Sequence, residues 1–415
     1  MRLLITSLMI VLSACGAGAP ASPQPDPAAA SASDCPAETS PQRDKLHVPA
    51  RDGWRLVGTF PEGEINDIAA TRDGTLWAIG SREARRAEAP EAGRSECSRQ
   101  GVVLKYSAKD ADRPEAEIAG PGCAEDLAHG AVAASGELWV AGSAPSESKT
   151  AACVARWTGR DWREYPLEFQ PEDLAVTGDE AWVVRPADSP PIVTQVTPAG
   201  SRAHRLKMTP MAVAALSPTS VWVAGVHPRA DKIMISHWDG RAWQAVPSPA
   251  PDIRAGVRPD EFESLGVSDL LVLGPRDIWL DVTAGVHPLD SDGDNDLTFT
   301  KELLAHWDGS SWSWSWQPGR RRLSTMPELG SDGRGGVWLS GLGIYDGPDE
   351  IAHVSGGRWT PITLPGDLAG GDVVTMRPGT SRAWVAGYLA VDRDVDNMEG
   401  NQISALWTTD GTVSP

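Results

Sequence analysis

Residues 237–243 read HWDGRAW, and residues 306–312 read HWDGSSW. Each copy places an Asp-Gly pair between two short runs of strand-forming residues, which is a strong signal for a β-hairpin. Residues 156–162 and 353–359 follow the same plan less closely, as RWTGRDW and HVSGGRW. The pattern therefore predicts a hairpin that recurs along the chain.

A second kind of hairpin precedes these copies. Its second strand is a short apolar run with Trp near its start, and a turn rich in Gly, Asp, Pro or Ser comes before it. Two hairpins in each unit, repeated seven times at intervals of 40 to 62 residues, predict an all-β, seven-bladed β-propeller with four antiparallel strands, A to D, in each blade. The apolar runs, which form the B strands, contain Trp77, Trp139, Trp182, Trp222, Trp279, Trp338 and Trp384.

The two ends of the chain supply parts of one blade. Residues 403–411 contain a strand C and its Asp-Gly turn, but the sequence stops at Pro415 before a strand D. Residues 51–57, RDGWRLV, resemble a strand D with no blade in front of it. We expect this N-terminal strand to complete the last blade, which closes the ring and removes its exposed edges. The propeller is therefore predicted over residues 51–415.

Composition excludes several classes of protein. The chain has 415 residues and a formal charge of -19, with 18 Trp beside 4 Tyr and 4 Phe. A chain with only 22% charged residues and this much Trp is not a disordered acidic protein. Nucleic acid is an unsuitable partner, because phosphate binding needs basic clusters and the one tight basic run is at residues 320–322.

The N-terminus resembles a bacterial lipoprotein signal. An apolar stretch of about ten residues, too short to span a bilayer, ends in Leu12-Ser13-Ala14-Cys15, which resembles the lipobox. The resemblance implies that residues 1–14 are removed and that Cys15 carries a diacylglycerol with its fatty acids, such as palmitate. It also implies a lipid-anchored protein of the bacterial cell envelope, facing outside the cytoplasm, and Gly16 favours the outer membrane if the cell has two. The alternative is an ordinary secretory signal with a chance Cys.

Residues 15–50 are predicted to be a disordered spacer behind the lipidated Cys. This segment is rich in Pro and Ala and lacks aromatic residues, so it cannot bury enough surface to fold. Four further cysteines in an oxidising compartment suggest two disulfides. We expect Cys97 to pair with Cys123, which leaves Cys35 as the partner of Cys153.

Two short motifs resemble known propeller repeats. Residues 71–77, TRDGTLW, resemble the repeat in the sensor regions of some bacterial two-component regulators, and the HWDG units look like degenerate repeats of bacterial secreted propeller lipoproteins. Residues 331–338, SDGRGGVW, resemble the Asp-box turn of sialidases, whose role is structural. The sialidase arginine triad cannot be located by motif, so that activity is not implied.

Acidic residues are expected to gather on one face. In a propeller, the B–C and D–A loops lie on the same face and strand A lines the central channel. Residues near the start of the A strands would therefore ring the channel mouth, focusing negative potential that favours a cationic or metal-assisted ligand. These candidate ligand-face residues are Asp67, His129, Asp173, Asp269, Glu328 and Asp372.

An inserted loop in blade five has the spacing of a cation site. Asp290, Asp292, Asp294 and Asp296 occupy alternate positions, and such carboxylates suit Ca²⁺, which prefers six to eight oxygen ligands. The alternative is a solvated acidic loop, since charge runs usually lie in water. Calcium is the one cofactor that the sequence suggests.

Other repeated aromatic and imidazole positions are expected to be structural. The B-strand Trp residues occupy one register and should fill the core between blades. The histidines that share one register of strand C, His237, His306 and His353, lie in separate blades, so they should be structural hydrogen-bonding residues and should not share a metal. Residues 312–316, WSWSW, place three Trp side chains on one face of a strand, where they either pack on the next blade or stack a sugar.

Three functions stay open from the sequence. The leading one is a non-enzymatic binding propeller on the cell envelope, monomeric, with an unidentified protein or saccharide ligand at the acidic face. The second is an extracytoplasmic lyase or hydrolase acting on a saccharide or peptide with paired carboxylates, and the third is a scaffold subunit of an envelope complex. No phosphate loop, nucleophile elbow or cofactor motif appears, so no catalytic residue is assigned.

Overall fold

The computed structural model describes most of the predicted propeller. The described residues are 48–60, 63–85, 97–107, 113–145, 148–186, 190–250, 257, 262–286, 299–317, 322–323, 327–344, 347–366, 369–376, 382–390 and 402–409. Within these ranges every regular element is a β-strand, and none of them contains a helix able to cross a membrane.

The strands of the first four blades follow one another along the chain. Each blade is a sheet in which the four strands pair in sequence order, all antiparallel. Blades one to four comprise β2 Gly63–Ala70, β3 Leu76–Arg85, β4 Cys97–Tyr106 and β5 Pro114–Ala119; β6 Asp126–Val132, β7 Leu138–Ser143, β8 Ala152–Trp157 and β9 Trp162–Leu167; β10 Asp173–Thr177, β11 Glu180–Val184, β12 Ile192–Thr197 and β13 Gly200–Arg205; and β14 Thr209–Ser217, β15 Ser220–Val226, β16 Ile233–Trp238 and β17 Trp243–Val246.

Blades five to seven keep the same order with two departures. Blade five has a fifth strand, β22, that pairs with β20 beyond the end of β21, and blade seven takes its outermost strand, β1, from the start of the chain. These blades comprise β18 Phe262–Gly274, β19 Asp277–Val286, β20 Phe299–Trp307, β21 Trp312–Trp316 and β22 Arg322–Leu323; β23 Glu328–Ser331, β24 Val337–Ile344, β25 Gly347–Ser355 and β26 Arg358–Ile362; and β27 Gly370–Met376, β28 Ala383–Ala390, β29 Gln402–Thr409 and β1 Trp54–Phe60. The predicted seven-bladed propeller is confirmed.

The ring closes as the sequence predicted. β1 pairs antiparallel with β29, with Trp54 opposite Thr409 and Phe60 opposite Ser404. Trp54 is fully buried and meets the Trp338 ring of blade six edge-on, with centroids 5.7 Å apart. The N-terminal strand therefore covers the edge that blade seven would otherwise expose to solvent.

The hydrophobic core consists of layers between neighbouring blades. B strands such as Val221–Gly225 are apolar on both faces because each sheet is covered by a blade on either side, whereas the outer strand β13 is mostly exposed. Seven buried clusters lie between successive pairs of blades, and the one that joins blades seven and one contains Ile65 and Trp384. The seven B-strand Trp residues all lie in these clusters and are at most 6% exposed, so their packing role is confirmed.

Glycine shapes the C–D turns in three blades. Gly159, Gly240 and Gly309 have φ near +91°, a conformation that residues with a Cβ rarely adopt. In blade four the preceding Asp239 accepts hydrogen bonds from the backbone of Arg241 and Ala242, at 2.8 and 2.9 Å. The Asp-Gly pair thus supplies both the turn conformation and its side-chain cap.

The disulfide prediction was wrong in its pairing. Cys123 bonds to Cys153, with a Cα–Cα distance of 6.0 Å, so neither Cys97–Cys123 nor Cys35–Cys153 forms. Cys97 starts β4 opposite Arg85, five residues beyond the point where Val102 pairs with the last residue of β5. At about 3.3 Å per strand residue, Cys97 lies too far along its hairpin to reach the loop that follows β5.

Replacing both Cys123 and Cys153 by Ala should lower the free energy of unfolding by about 2–4 kcal/mol, because the bond ties blade one to blade two. Urea unfolding of the double variant against wild type measures this loss. Peptide mapping without reductant should recover one peptide pair joined through these two cysteines. A peptide joining Cys97 to Cys123 would contradict the assignment.

Candidate binding face and central channel

The ring has two unlike faces. We call the face with the B–C hairpins and D–A connections the upper face, and the face with the A–B and C–D turns the lower face. The B–C hairpins rise unequally, because β3 runs to Arg85, eight residues past its Trp, whereas β11 ends at Val184, two residues past its Trp. The upper face is therefore high over blades one and five and low over blade three.

Strand pairing brings five of the six candidate residues into one register. Each of the five lies opposite the residue two positions after the Trp of its B strand. The members of this register are Asp67, His129, Asp173, Asp269 and Glu328. Asp173 lies nine residues before its Trp and the others ten, because the A–B hairpin of blade three has one residue fewer. Asp372 differs: it is the bulged residue between Gly371 and Val373, and Val373 occupies the shared register.

Three of these acids link one blade to the next. In each, Oδ1 accepts a hydrogen bond from the following backbone N–H, at 2.6 Å. The other oxygen accepts the backbone N–H of the neighbouring A strand: Gly130 donates to Asp67, Val213 donates to Asp173, and Leu329 donates to Asp269, at 2.5, 2.7 and 2.6 Å.

These links follow every second blade. The three Asp residues lie in blades one, three and five, so each one bonds the A strand of its own blade to the A strand of the following, even-numbered blade. The candidate ligand ring is thus in large part a set of inter-blade hydrogen bonds around the channel.

Burial raises the pKa of these carboxyls. Desolvation is the largest cause in each case, and it raises the pKa of Asp67 and of Asp269 to about 7 and that of Asp173 to about 6. The two backbone hydrogen bonds of each group act in the opposite direction. The charges of Asp173 and Asp269 also raise the pKa of Asp67, and that of Asp173 raises the pKa of Asp269.

Glu328 lies among these acids. Burial raises its pKa well above the ordinary value, and the charges of Asp67, Asp269, Asp173 and Asp372 raise it further, in that order. His129 is shifted the other way, because burial lowers its pKa despite a hydrogen bond with the Pro171 backbone. The channel therefore favours neutral side chains.

The structure also contains two buried acids that the sequence analysis missed as a pair. Asp281 in β19 is 0% exposed and Glu302 in β20 is 1% exposed. A signal was present, because Asp281 occupies the register filled by Ile79, Ala141, Val184, Ala224, Ser340 and Ala386 in the other blades. Six of the seven blades have an apolar or small residue at this position, so the single Asp could have been recognised from the repeat alignment.

The predicted structural role of the three strand-C histidines is confirmed. Each ring stacks on or tilts against the Trp of its own B strand, with centroids 3.9 to 4.5 Å apart. The Nε2 atoms meet partners within the same blade: Ser220 for His237, Asp277 for His306 and Asp332 for His353, at 3.1, 2.9 and 2.9 Å. Asp332 also accepts two backbone hydrogen bonds in its own turn, so the Asp-box motif is structural here.

The Trp ladder of β21 mainly packs. Trp312 donates from Nε1 to the Pro247 carbonyl at 2.7 Å, and both Trp312 and Trp316 pack on the cluster between blades four and five. Trp314 is 42% exposed. Packing on the neighbouring blade, one of the two roles predicted for WSWSW, therefore accounts for Trp312 and Trp316.

Several predicted sites lie outside the described residues. These are Cys15, Cys35 and the loop with Asp290, Asp292, Asp294 and Asp296. Within the described ranges, no group of three or more His, Cys, Asp or Glu residues is arranged to hold a metal ion.

Comparison with known proteins identifies the fold. The chain matches no protein-family model and no curated protein sequence. Among solved structures, a GH74 xyloglucanase from Xanthomonas campestris is 13% identical with a TM-score of 0.50, covering 80% of this chain and 52% of its own. The likeness shows a propeller fold.

Two further solved structures are similar at lower TM-scores. The β-propeller domain of Cps50 (Swd1) from Myceliophteria thermophila is 13% identical, covering 84% of this chain and 98% of its own, with a TM-score of 0.46. The α-L-arabinofuranosidase Arb93A from Fusarium graminearum is 12% identical, covering 87% and 96%, with a TM-score of 0.43. Likenesses at this level transfer no activity.

Proposed function

We propose that the protein is an envelope-anchored lipoprotein whose propeller is a non-enzymatic binding module that presents its upper face away from the membrane. The observation that carries this proposal is the direction of β1. This strand enters blade seven at the lower face, where Trp54 lies opposite the last residue of β29, and runs towards the upper face. A membrane anchor at Cys15 would therefore attach on the lower side, leaving the raised B–C hairpins directed outwards.

Two features of the chain support an extracytoplasmic protein attached through a spacer. Residues 16–50 are rich in Pro and Ala, a composition typical of a linker between an anchor and a folded domain. The disulfide between Cys123 and Cys153 is typical of proteins that fold outside the reducing cytoplasm.

The chemistry of the described acids supports binding over catalysis. Asp67, Asp173 and Asp269 each use both carboxylate oxygens to hold backbone N–H groups of two blades. Asp281 and Glu302 are closed off from solvent, so a polymer could not reach them. A glycosidase needs two carboxyls that face a bound substrate, about 5 to 10 Å apart.

Replacement of Cys15 by Ser should release the protein from membranes. Wild type expressed with its signal in a bacterial host should incorporate labelled palmitate and sediment with membranes, because acyl chains hold it there. The Cys15→Ser variant should incorporate no label and appear in the soluble extracytoplasmic fraction. Cys97→Ser is the matched control and should stay membrane-bound and labelled; unlabelled wild type would contradict the anchor.

The non-enzymatic part is tested with polysaccharides and peptides. We expect purified wild type to release no reducing ends or new amines from either class. Product release that disappears in a carboxylate variant which remains folded would favour the alternative, an extracytoplasmic hydrolase or lyase.

A further inference from the structure

Asp281 is a buried carboxylate with no hydrogen-bond partner. It lies in the middle of β19, is 0% exposed, and neither Oδ1 nor Oδ2 accepts a hydrogen bond. In the described part of the structure it takes part in no ion pair. An ionised carboxylate removed from water in this way costs several kcal/mol unless another charge compensates it.

The groups around Asp281 are oxygen donors. Glu302, on the neighbouring strand β20, accepts a hydrogen bond from the Thr283 hydroxyl at 3.1 Å. The Thr283 hydroxyl is also bonded to the hydroxyl of Ser268, the bulged residue of β18. The Ser268 hydroxyl lies near enough to Asp281 to lower the pKa of its carboxyl, but the hydrogen bond that Ser268 forms is with Thr283 and not with an oxygen of Asp281.

Like charges increase the cost of ionising this group. Burial is the largest cause that raises the pKa of Asp281, and the neighbouring carboxylates of Glu302 and Asp269 raise it further. Asp269 lies directly opposite Asp281 in the β18–β19 pairing and is engaged by two backbone N–H groups. A proton shared with Glu302, or a bound cation, would each remove the cost of the unpartnered Asp281 charge.

We propose that Asp281 and Glu302 bind a divalent cation, with the hydroxyls of Ser268 and Thr283 as further oxygen ligands. The donor set contains oxygen only, which selects a hard cation such as Ca²⁺ or Mg²⁺ over transition metals. Ca²⁺ fits better than Mg²⁺, because Mg²⁺ usually keeps several waters and this position is closed to solvent.

The position of this site gives the cation a structural consequence. Its ligands come from β18, β19 and β20, the three inner strands of blade five. Trp279, two residues before Asp281, packs with Leu304 and Leu329 in the cluster that joins blade five to blade six. The cation would therefore hold together the base of the raised β19–β20 hairpin at a blade interface. This inference is independent of the proposed membrane anchoring and binding function.

The test is calcium binding by the full-length protein. Wild type, purified in detergent and freed of metal with EDTA, should bind about one Ca²⁺ at this site by calorimetry, and its melting temperature should rise by about 5 °C at about 1 mM CaCl₂, because the ion binds only the native state. The Asp281→Asn variant should lose both the heat and the rise. Thr283→Val, which keeps the side-chain volume, should weaken binding by about tenfold or more.

A matched variant separates this site from the acidic loop. Asp292→Asn with Asp294→Asn removes two loop carboxylates and should leave the calcium response of the buried site intact. A wild type with no heat and no rise overturns the proposal in favour of a shared proton, and so does a response that survives Asp281→Asn but disappears in the loop variant. If Asp281→Asn cannot be purified, unchanged calcium affinity in Thr283→Val overturns it.

Discussion

Deletion of residues 51–60 should abolish the cooperative unfolding transition of the whole propeller. The deletion removes β1, so the backbone groups of β29 that pair with it would be left without partners along an open edge. It also removes Trp54, which is fully buried in the cluster between blades six and seven. Truncating such a Trp to Ala alone costs about 3–5 kcal/mol, a large share of the stability of an ordinary domain.

Deletion of residues 16–47 is the matched control for this experiment. It removes more of the chain but stops before Val48, which packs on the core. Calorimetry and far-UV circular dichroism should show an unchanged melting temperature for the control and no transition for the β1 deletion. Equal melting temperatures in the two deletions would contradict closure by the N-terminal strand.

Acidification from about pH 8 to about pH 5 should stabilise the protein. Asp67, Asp269 and Asp173 have folded-state pKa values of about 7, 7 and 6, against an ordinary value of 3.8. At a pH between the ordinary value and these folded-state values, the three carboxyls stay protonated in the folded chain but have lost their protons in the unfolded chain. Stability is therefore highest near and below the unfolded pKa, and it is lost as the pH rises through the folded values.

Several exposed or partly buried acids set the lower limit of this stabilisation. The Ser310 hydroxyl and the backbone of Ser311 and Ser310 lower the pKa of Asp308 to about 2, so its contribution is present above the unfolded pKa and lost as the pH falls towards 2. Opposite shifts of this kind reverse the trend below the unfolded pKa of these acids.

Thermal unfolding across this pH range measures the effect. At roughly 1.4 kcal/mol per pKa unit, three raised carboxyls amount to several kcal/mol, so a rise of about 5 °C or more on acidification is expected. The net charge of -19 acts in the same direction, and the Asp269→Asn variant separates the two causes. This variant should melt lower at pH 5 but show a weaker pH dependence; a wild type that melts higher at pH 8 would contradict the prediction.

Much of the fold could be predicted from the sequence because the same structural unit is repeated. Apolar B strands around seven Trp residues and the Asp-Gly turns after HW pairs recur often enough to predict blade number, strand order and closure. Periodicity reports local structure, and in a propeller each blade contacts only its neighbours and the channel, so local patterns decide most of the architecture. The structural role of His237, His306 and His353 followed from the same reasoning.

Other properties depended on strand register and on contacts between blades. The register shows that Asp173 is equivalent to Asp67, although the two differ in their spacing to the B-strand Trp, and that Asp372 is not equivalent. Turn length and bulges change the number of residues between two positions without changing which strands pair. Pairing of Cys123 with Cys153 depends on how far each hairpin extends in space. The isolation of Asp281 depends on which blade covers it. The sequence by itself determined which units repeat. Which polar groups meet was decided only by the packing of one blade on the next, because that packing removes these groups from water and selects their partners.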